Sequence, residues 1–184
     1  MTTRKSGAES GFPSWTVASP KRRKHVERVV ELLERWAKAM RIPKGEADRW
    51  RAAGYLHDAL RDAPDDVLRE YSGDKKRAAE LLHGPAAAVR AGIDGEQRQD
   101  VLDAVRYHTV GWATWTRTGR ALYMADFLEP GRKFLVSERA YLANQVPSDF
   151  DGTFREVVRL RLNWTLGQNG ELFPETVDLW HAVR

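Results

Sequence analysis

The 184-residue sequence contains no cysteine. Disulfide bonds, thiolate zinc sites and cysteine nucleophiles are therefore excluded, and an oxidising compartment is disfavoured. No apolar run approaches the roughly 20 residues that a membrane-spanning helix needs, and the mean hydropathy is −0.58. The mostly polar first 20 residues also lack the apolar segment of a secretory signal. We therefore expect a soluble protein without a membrane partner, located in the cytoplasm.

A broad basic surface is also missing, although the net charge is +4. Residues 1–24 carry a charge of +5, so residues 25–184 carry −1. The basic run Lys21–Lys24 has no wider basic face beside it, which favours a solvated lead-in to a helix over a phosphate-binding patch. We expect no specific nucleic-acid partner.

The length and the 42% hydrophobic content fit one compact domain. Residues 1–19 are predicted to form a flexible N-terminal arm, with docking of Phe12, Trp15 and Val17 as the alternative, and residues 20–184 to form the domain. Apolar residues recur at helical spacing, and no alternating pattern longer than a few residues indicates a strand. The predicted fold class is all-α, with helices near residues 20–41, 47–60, 65–71, 86–91, 96–107, 116–128, 139–144, 150–166 and 174–182.

Most of the histidines occupy unusual positions for so polar a chain. Four of the five lie at the end of a predicted helix or on its core-facing stripe. A single histidine so placed is more often a core or capping residue, but four together with two carboxylates indicate a metal site. Imidazole and carboxylate suit iron, manganese, cobalt or zinc, and the residues alone do not choose among them. The set is His25, His57, Asp58, His83, His108 and Asp126, whereas His181 stands outside any such motif.

The segments around these residues resemble a known family. The order of residues is similar to the H…HD…D signature of HD-domain metal-dependent phosphohydrolases. It consists of His25, the pair His57-Asp58 in "GYLHDALRD" and Asp126 in "YMADFLEPGR". Further segments resemble one branch, the YqeK-type symmetrical diadenosine tetraphosphate hydrolases. These segments are "LLHGPAAA", "VLDAVRYHTVG", "SDFD" and "LNWTLGQNGELFPETV".

The resemblance implies a single helical HD domain with a dinuclear metal centre. Iron, divalent or mixed-valence, is the expected metal, with manganese or cobalt as alternatives. One ion would be held by His25, His57, Asp58 and Asp126, and the second by Asp58, His83 and His108. The implied reaction is hydrolysis of diadenosine tetraphosphate to two ADP by a water that the two ions activate. A homodimer is an expectation at the level of the family.

Basic side chains should hold the polyphosphate, because positioning and electrostatics dominate phosphoryl transfer. The candidates are Arg61, Arg106, Arg132 and Lys133. Arg61 and Arg132 lead, with a surface ion pair as the alternative for each. The expected catalytic residues are Asp58, Arg61 and Asp62; Asp62 would hydrogen-bond a ligand histidine or the attacking water, with capping as the alternative.

Some positions depart from the family's pattern without removing a ligand. Arg61 stands where lysine is usual, Val110 replaces the second threonine of an "HTTG" stretch, and Gly119-Arg120 replaces a Glu-Lys pair. Arginine presents a planar fork rather than a point charge, which leaves the substrate open. Trp112 and Trp115 offer a stacking surface for a purine, although core packing is favoured.

Two other functions compete with this hydrolysis. One is another HD-type nucleotide phosphatase acting on a nucleoside mono- or diphosphate, since ligand type does not specify the leaving group. The other is a non-catalytic sensor that binds metal and dinucleotide. The complete set of six ligand positions argues against the sensor.

Overall fold

The computed structural model describes residues 11–184, and the regular elements in this part of the chain are all helices, with no strand. The all-α prediction is therefore confirmed. A 3₁₀ turn at Ala79–Leu81 precedes the fourth helix. The helices are α1 (Pro20–Ala39), α2 (Lys44–Leu56), α3 (Asp65–Ser72), α4 (His83–Ile93), α5 (Gln99–Tyr107), α6 (Arg117–Leu128), α7 (Val136–Gln145), α8 (Phe150–Gly167) and α9 (Pro174–Val183).

Helix α6 is the centre of the structure. Residues 121–128 are all buried, because α1, α2, α5, α7 and α8 pack around this helix. A helix that is buried on every face is normally apolar on every face. Asp126, the carboxylate in this stretch, therefore needs a compensating charge nearby.

The tryptophans mostly serve the core. Trp36 and Trp50 are fully buried, and the Trp36 indole donates a 2.8 Å hydrogen bond to the carbonyl of Ala143 on α7. Trp115 is also buried and donates to the carbonyl of Asp103. Trp112 stacks on Tyr107 with 4.1 Å between ring centroids. The contacts of Trp112 and Trp115 are those expected if both residues serve packing.

The second helix was predicted to run to about Leu60, which is wrong. Helix α2 ends at Leu56, and tight turns follow, in which Ala59 donates to the carbonyl of Leu56 and Arg61 to that of Asp58. These i to i+3 bonds place His57 and Asp58 in a rigid turn rather than in a helix. Helix α4 in turn begins two residues before Pro85, because a proline in the first turn removes no bond that the helix needs.

The N-terminal segment that the structure describes lies against the domain. The Val17 amide donates to the carbonyl of Ala59 at 2.8 Å, and the Asp62 amide donates to the carbonyl of Val17 at 3.2 Å. The Trp15 indole donates to Asp94 at 3.0 Å. Residues 1–10 of the predicted arm fall outside the described residues, so the boundary at residue 20 stays a prediction.

Helices capable of crossing a membrane are absent from residues 11–184, since none of them is both long and apolar enough.

Candidate metal centre

Six side chains from separate parts of the chain meet in one buried cluster. They come from the second turn of α1, the turn after α2, the start of α4, the residue after α5 and the last turn of α6. All six are buried, with at most 7% of any residue exposed. The structure therefore brings together every residue for which the sequence predicted metal binding: His25, His57, Asp58, His83, His108 and Asp126.

The cluster divides into two triads. His25, His57 and Asp126 each offer one ligand atom within 4.8 Å of the others, and Asp58, His83 and His108 do the same. In the first triad His25 Nε2 lies 3.1 Å from Asp126 Oδ1. In the second, His83 Nε2 lies 3.2 Å from Asp58 Oδ1. Each triad has the size and donor set of a cation site.

Asp58 stands between the triads and faces both. Its Oδ1 lies 3.2 Å from His83 Nε2 and 3.6 Å from His108 Nε2. Its Oδ2 lies 3.7 Å from His25 Nε2 and 3.6 Å from His57 Nε2. A carboxylate with one oxygen toward each triad has the arrangement needed to bridge two cations.

Hydrogen bonds at the far side of each ring fix which nitrogen faces the cluster. Three histidines place Nδ1 at the backbone carbonyl three residues earlier, and a carbonyl only accepts, so Nδ1 carries the proton. In a neutral ring Nε2 then carries no proton, and its lone pair can bind a metal ion. The pairs are His57 with Gly54 at 2.7 Å, His83 with Glu80 at 2.8 Å and His108 with Val105 at 2.7 Å.

The unsatisfied nitrogens fit a cation. Nε2 of His57 is buried without a hydrogen-bond partner among residues 11–184. Nε2 of His83 lies 3.0 Å from Nε2 of His108, although both rings carry their proton on the other nitrogen. Two lone pairs at this distance repel each other, and a metal ion between them removes the repulsion. The residues present therefore fit the metals that the family implies.

The carboxylates of the cluster remain ionised. Burial alone would raise the pKa of Asp58, but the surrounding histidines, His57 first and then His108 and His83, hold it well below its usual range. Burial acts on Asp126 in the same direction, and Arg132 and His25 outweigh it, so this pKa is also far below its usual range. Both groups are thus in the charged form that binds a metal.

The imidazoles differ in charge. Burial lowers the pKa of His57 to about 4, and neighbouring Asp58 only partly opposes this. Burial also lowers the pKa of His83. His25 differs because hydrogen bonds with Asp126 and Glu129 outweigh its burial and raise its pKa to about 9. The carboxylates beside His25 thus favour its charged form, whereas burial favours the neutral form of His57 and His83.

Glu129 supports the first triad, a role that the sequence did not reveal. This residue is 1% exposed. It lies 3.1 Å from His25 Nδ1 and accepts from Arg28 at 2.5 Å and from the Gly131 amide at 2.7 Å. A carboxylate behind a ligand histidine orients the ring and strengthens it as a ligand. Its position directly after α6 and three residues after Asp126 was the available signal.

Family membership follows from comparison with known proteins. The HD domain family model matches residues 22–139. The chain belongs to the HD domain family. All six cluster residues of this HD domain lie within the matched range.

Relatives of this HD domain include enzymes of one name. It is 30% identical over 172 residues to "Bis(5'-nucleosyl)-tetraphosphatase, symmetrical" of Staphylococcus aureus, covering 86% of this chain and 84% of that protein. It is 28% identical over 156 residues to the protein of the same name from Bacillus subtilis, with 80% and 78% coverage. The crystal structure of a "predicted HD superfamily hydrolase involved in NAD metabolism" from Clostridium acetobutylicum has a TM-score of 0.75 at 24% identity, over 90% and 89% of the two chains. This last likeness shows the fold.

A basic cavity of about 550 Å³ opens beside the first triad of the HD domain, with His25 in its wall. Two of the predicted phosphate-binding residues line it, Arg132 and Lys133. Arg132 also donates to Asp126 Oδ1 at 2.7 Å. The cavity thus combines access to the cluster with fixed positive charge, and we call it the first cavity. Its other basic lining residues are Lys21, Arg22 and Arg28.

Two arginines of α1 belong to this site and were not predicted. Arg22 donates to Asp58 Oδ2 at 2.8 Å, and Arg28 pairs with Glu129. They stand three residues before and three residues after His25, which places all three on one face of the helix. This spacing was the signal that would have found them.

The other predicted residues lie at the margin of the cluster. Arg61 is partly buried and donates to the carbonyl of Glu80 at 3.4 Å. Asp62 is exposed in the wall of the first cavity. It accepts a hydrogen bond from the amide of Ser19, the residue before α1, at 2.7 Å. This contact corresponds to the alternative in which Asp62 caps a helix. Hydrogen bonds from Ser19 also lower the pKa of Asp62. Arg106 is partly buried near the end of α5. Their roles remain predictions.

Proposed function

We propose that this protein hydrolyses diadenosine tetraphosphate symmetrically to two ADP at the buried histidine and aspartate cluster. The observation that carries the proposal is the position of Asp58. One of its oxygens faces His25 and His57 of the first triad, and the other faces His83 and His108 of its own triad. The names of the relatives from Staphylococcus aureus and Bacillus subtilis support the choice of substrate. The reaction adds one water across the central anhydride, with OH joining phosphorus and H completing the departing ADP.

Two metal ions would complete this site. His25, His57 and Asp126 would hold one ion, His83 and His108 would hold the other, and Asp58 would contact both. When bound, two divalent or mixed-valence ions would neutralise phosphate oxygens, lower the pKa of a water and stabilise the leaving oxygen. Iron is the proposed metal, and manganese and cobalt are the alternatives to be tested beside it.

The basic lining of the first cavity would bind the polyphosphate. Arg132 is held against Asp126 by two hydrogen bonds, from Nη2 to the carboxylate and from Nε to the backbone carbonyl. This anchoring fixes its guanidinium before substrate arrives, so little side-chain entropy is lost on binding. Lys21 and Lys133 are exposed at the same cavity and would bind the outer phosphates as point charges.

Burial of the cluster shapes the chemistry that the protein residues perform. The backbone carbonyls behind His57, His83 and His108 hold the rings in one orientation, so the donor atoms need no rearrangement during the reaction. Arg61, Arg106 and Asp62 are retained as candidates around this centre, Arg61 and Arg106 for phosphate binding and Asp62 as an acceptor for the attacking water. We place the reaction in the cytoplasm and propose a small-molecule substrate, with a homodimer as the expected assembly.

Product analysis tests this proposal. The protein is loaded separately with iron, manganese and cobalt, mixed with diadenosine tetraphosphate, and the products are separated by chromatography. Symmetrical hydrolysis gives ADP alone. AMP with ATP would contradict the assigned bond. Release of inorganic phosphate from nucleoside mono- or diphosphates, with diadenosine tetraphosphate left intact, would favour the phosphatase alternative. Binding without any product would favour the sensor.

A further inference from the structure

Asp126 stands between two arginines that line different cavities. Its Oδ1 accepts from Arg132, which lines the first cavity. Its Oδ2 lies 3.8 Å from Nη1 of Arg161, on α8. Arg161 lines a second cavity of about 230 Å³ together with Thr109, Tyr123 and Phe173. The two cavities therefore approach the cluster at the same carboxylate.

Arg161 donates a hydrogen bond to the chain from one terminal nitrogen, whereas its other terminal nitrogen is buried and donates none. Its Nη2 donates to the carbonyl of Thr109 at 3.1 Å, and its guanidinium lies 4.3 Å from the ring centroid of Tyr123. Its Nη1 is buried and has no hydrogen-bond acceptor within residues 11–184, since Asp126 is beyond hydrogen-bond distance. A guanidinium keeps its charge in proteins. A buried charged donor without an acceptor is costly, which points to an acceptor that arrives from outside the chain.

The surroundings of Arg161 indicate the chemistry of that acceptor. The Thr109 hydroxyl lies 3.3 Å from Nε2 of His108, so the second cavity reaches the second triad. An anion in this cavity would thus lie near both the cluster and a fixed guanidinium. Arginine favours phosphate and carboxylate oxygens because its planar fork matches their geometry. The ring of Phe173 in the same wall offers a surface for a base.

We propose that Arg161 is a substrate-binding residue whose Nη1 donates to a phosphate oxygen of one ADP half of the dinucleotide. This inference rests on the proposed function. A symmetrical substrate has two identical halves that meet at the bond to be cut, and two cavities meet at Asp126 beside the cluster. The first cavity would take one half, and the second cavity would take the other, with Arg161 as its phosphate contact.

Binding of a non-hydrolysable substrate analogue tests the contact. The analogue carries a methylene group in place of the central bridging oxygen, so it spans both cavities without being cut there. Calorimetry on the manganese-loaded protein should show a Kd about 10- to 100-fold higher for Arg161→Ala than for the wild type, the range for a charged hydrogen bond. Arg161→Lys should recover part of this loss.

Arg159→Ala is the matched control. Arg159 lies on the same helix, its side chain is 59% exposed, and it pairs with Glu156 rather than with the cluster. This variant should bind the analogue like the wild type. Metal content, measured by mass spectrometry, should be equal in all variants. Wild-type affinity in Arg161→Ala would overturn the inference, as would a loss of affinity that follows a loss of metal, because Arg161 would then act only by supporting Asp126.

Failure of the contact and failure of the proposed function give different results. If the wild type releases ADP and Arg161→Ala binds the analogue normally, the contact alone is wrong. If the wild type gives no ADP but the analogue binds in an Arg161-dependent way, the contact stands and the proposed reaction is wrong.

Discussion

Replacement of Gly84 by alanine tests whether the close approach of α4 and α5 builds the second triad. Gly84 follows His83, and a Cβ at this position would lie 2.8 Å from the Val105 carbonyl oxygen, 3.1 Å from the Arg106 carbonyl oxygen and 3.1 Å from Cε1 of His108. Two of these atoms belong to the backbone of α5 and cannot turn away. The two helices must therefore separate by a few tenths of an ångström.

The expected cost comes from two opposing terms. Overpacking of a tight core contact destabilises by about 1–3 kcal/mol, and alanine in place of a helical glycine returns about 0.5–1 kcal/mol. We expect a net loss of up to about 2.5 kcal/mol in the free energy of unfolding. Because His83 and His108 face each other with 3.0 Å between their Nε2 atoms, the same displacement should weaken binding of the second metal ion.

Gly92 provides the control, since it lies on the same helix. Beyond the backbone of its own helix and its chain neighbours, a Cβ there meets no atom of residues 11–184 within 4 Å, so Gly92→Ala should stabilise the protein by about 0.4–1 kcal/mol and leave metal binding unchanged. Denaturant unfolding and metal analysis by mass spectrometry measure both properties. Equal stability and equal metal content in the two variants would refute the packing argument.

Four further variants test the supports of the site and of the fold. Glu129→Gln should lower metal affinity about 10- to 100-fold, because the ligand histidine on α1 loses its carboxylate partner; unchanged affinity in a chelator competition would count against this role. Asp58→Ala should lose both ions, whereas His83→Ala should lose one and retain its helical circular dichroism; the same stoichiometry in both would argue against a bridging carboxylate. Glu175→Gln should lower unfolding stability by about 0.5 kcal/mol at pH 7, since Glu175 pairs with the partly exposed Arg77. Burial would raise the pKa of Glu175, but this pairing lowers it below the usual 4.5. The stability difference between the wild type and Glu175→Gln should therefore be complete above pH 4.5 and vanish as the pH falls through the folded pKa. A stability difference that persists in acid would contradict this ion pair.

The ligand residues could be predicted from the sequence because each lies in a local motif. Asp126 ends the apolar stripe of α6, and His57 and Asp58 are adjacent. The end of α2 could not be predicted, because the apolar pattern continues to Leu60 while the backbone changes to i to i+3 bonds after residue 57. Periodicity reports which residues are buried, and a tight turn can bury the same residues as a helix.

The supporting residues depend on contacts across the chain. The spacing of Glu129 after Asp126 places it near the site, but its partner His25 is 104 residues away, and the sequence does not indicate this pair. Arg161 is one of several arginines on α8, and only the packing of that helix against α6 distinguishes it from the exposed Arg159. Such contacts follow from how the helices pack, which no single helical pattern contains.

We propose that two metal ions bind on either side of Asp58. Crystals of the manganese-loaded protein, measured with anomalous scattering at the manganese edge, test this proposal. Two anomalous peaks are expected, one among His25, His57 and Asp126 and the other between His83 and His108, with Asp58 in contact with both. A single peak, or peaks away from these residues, would contradict it.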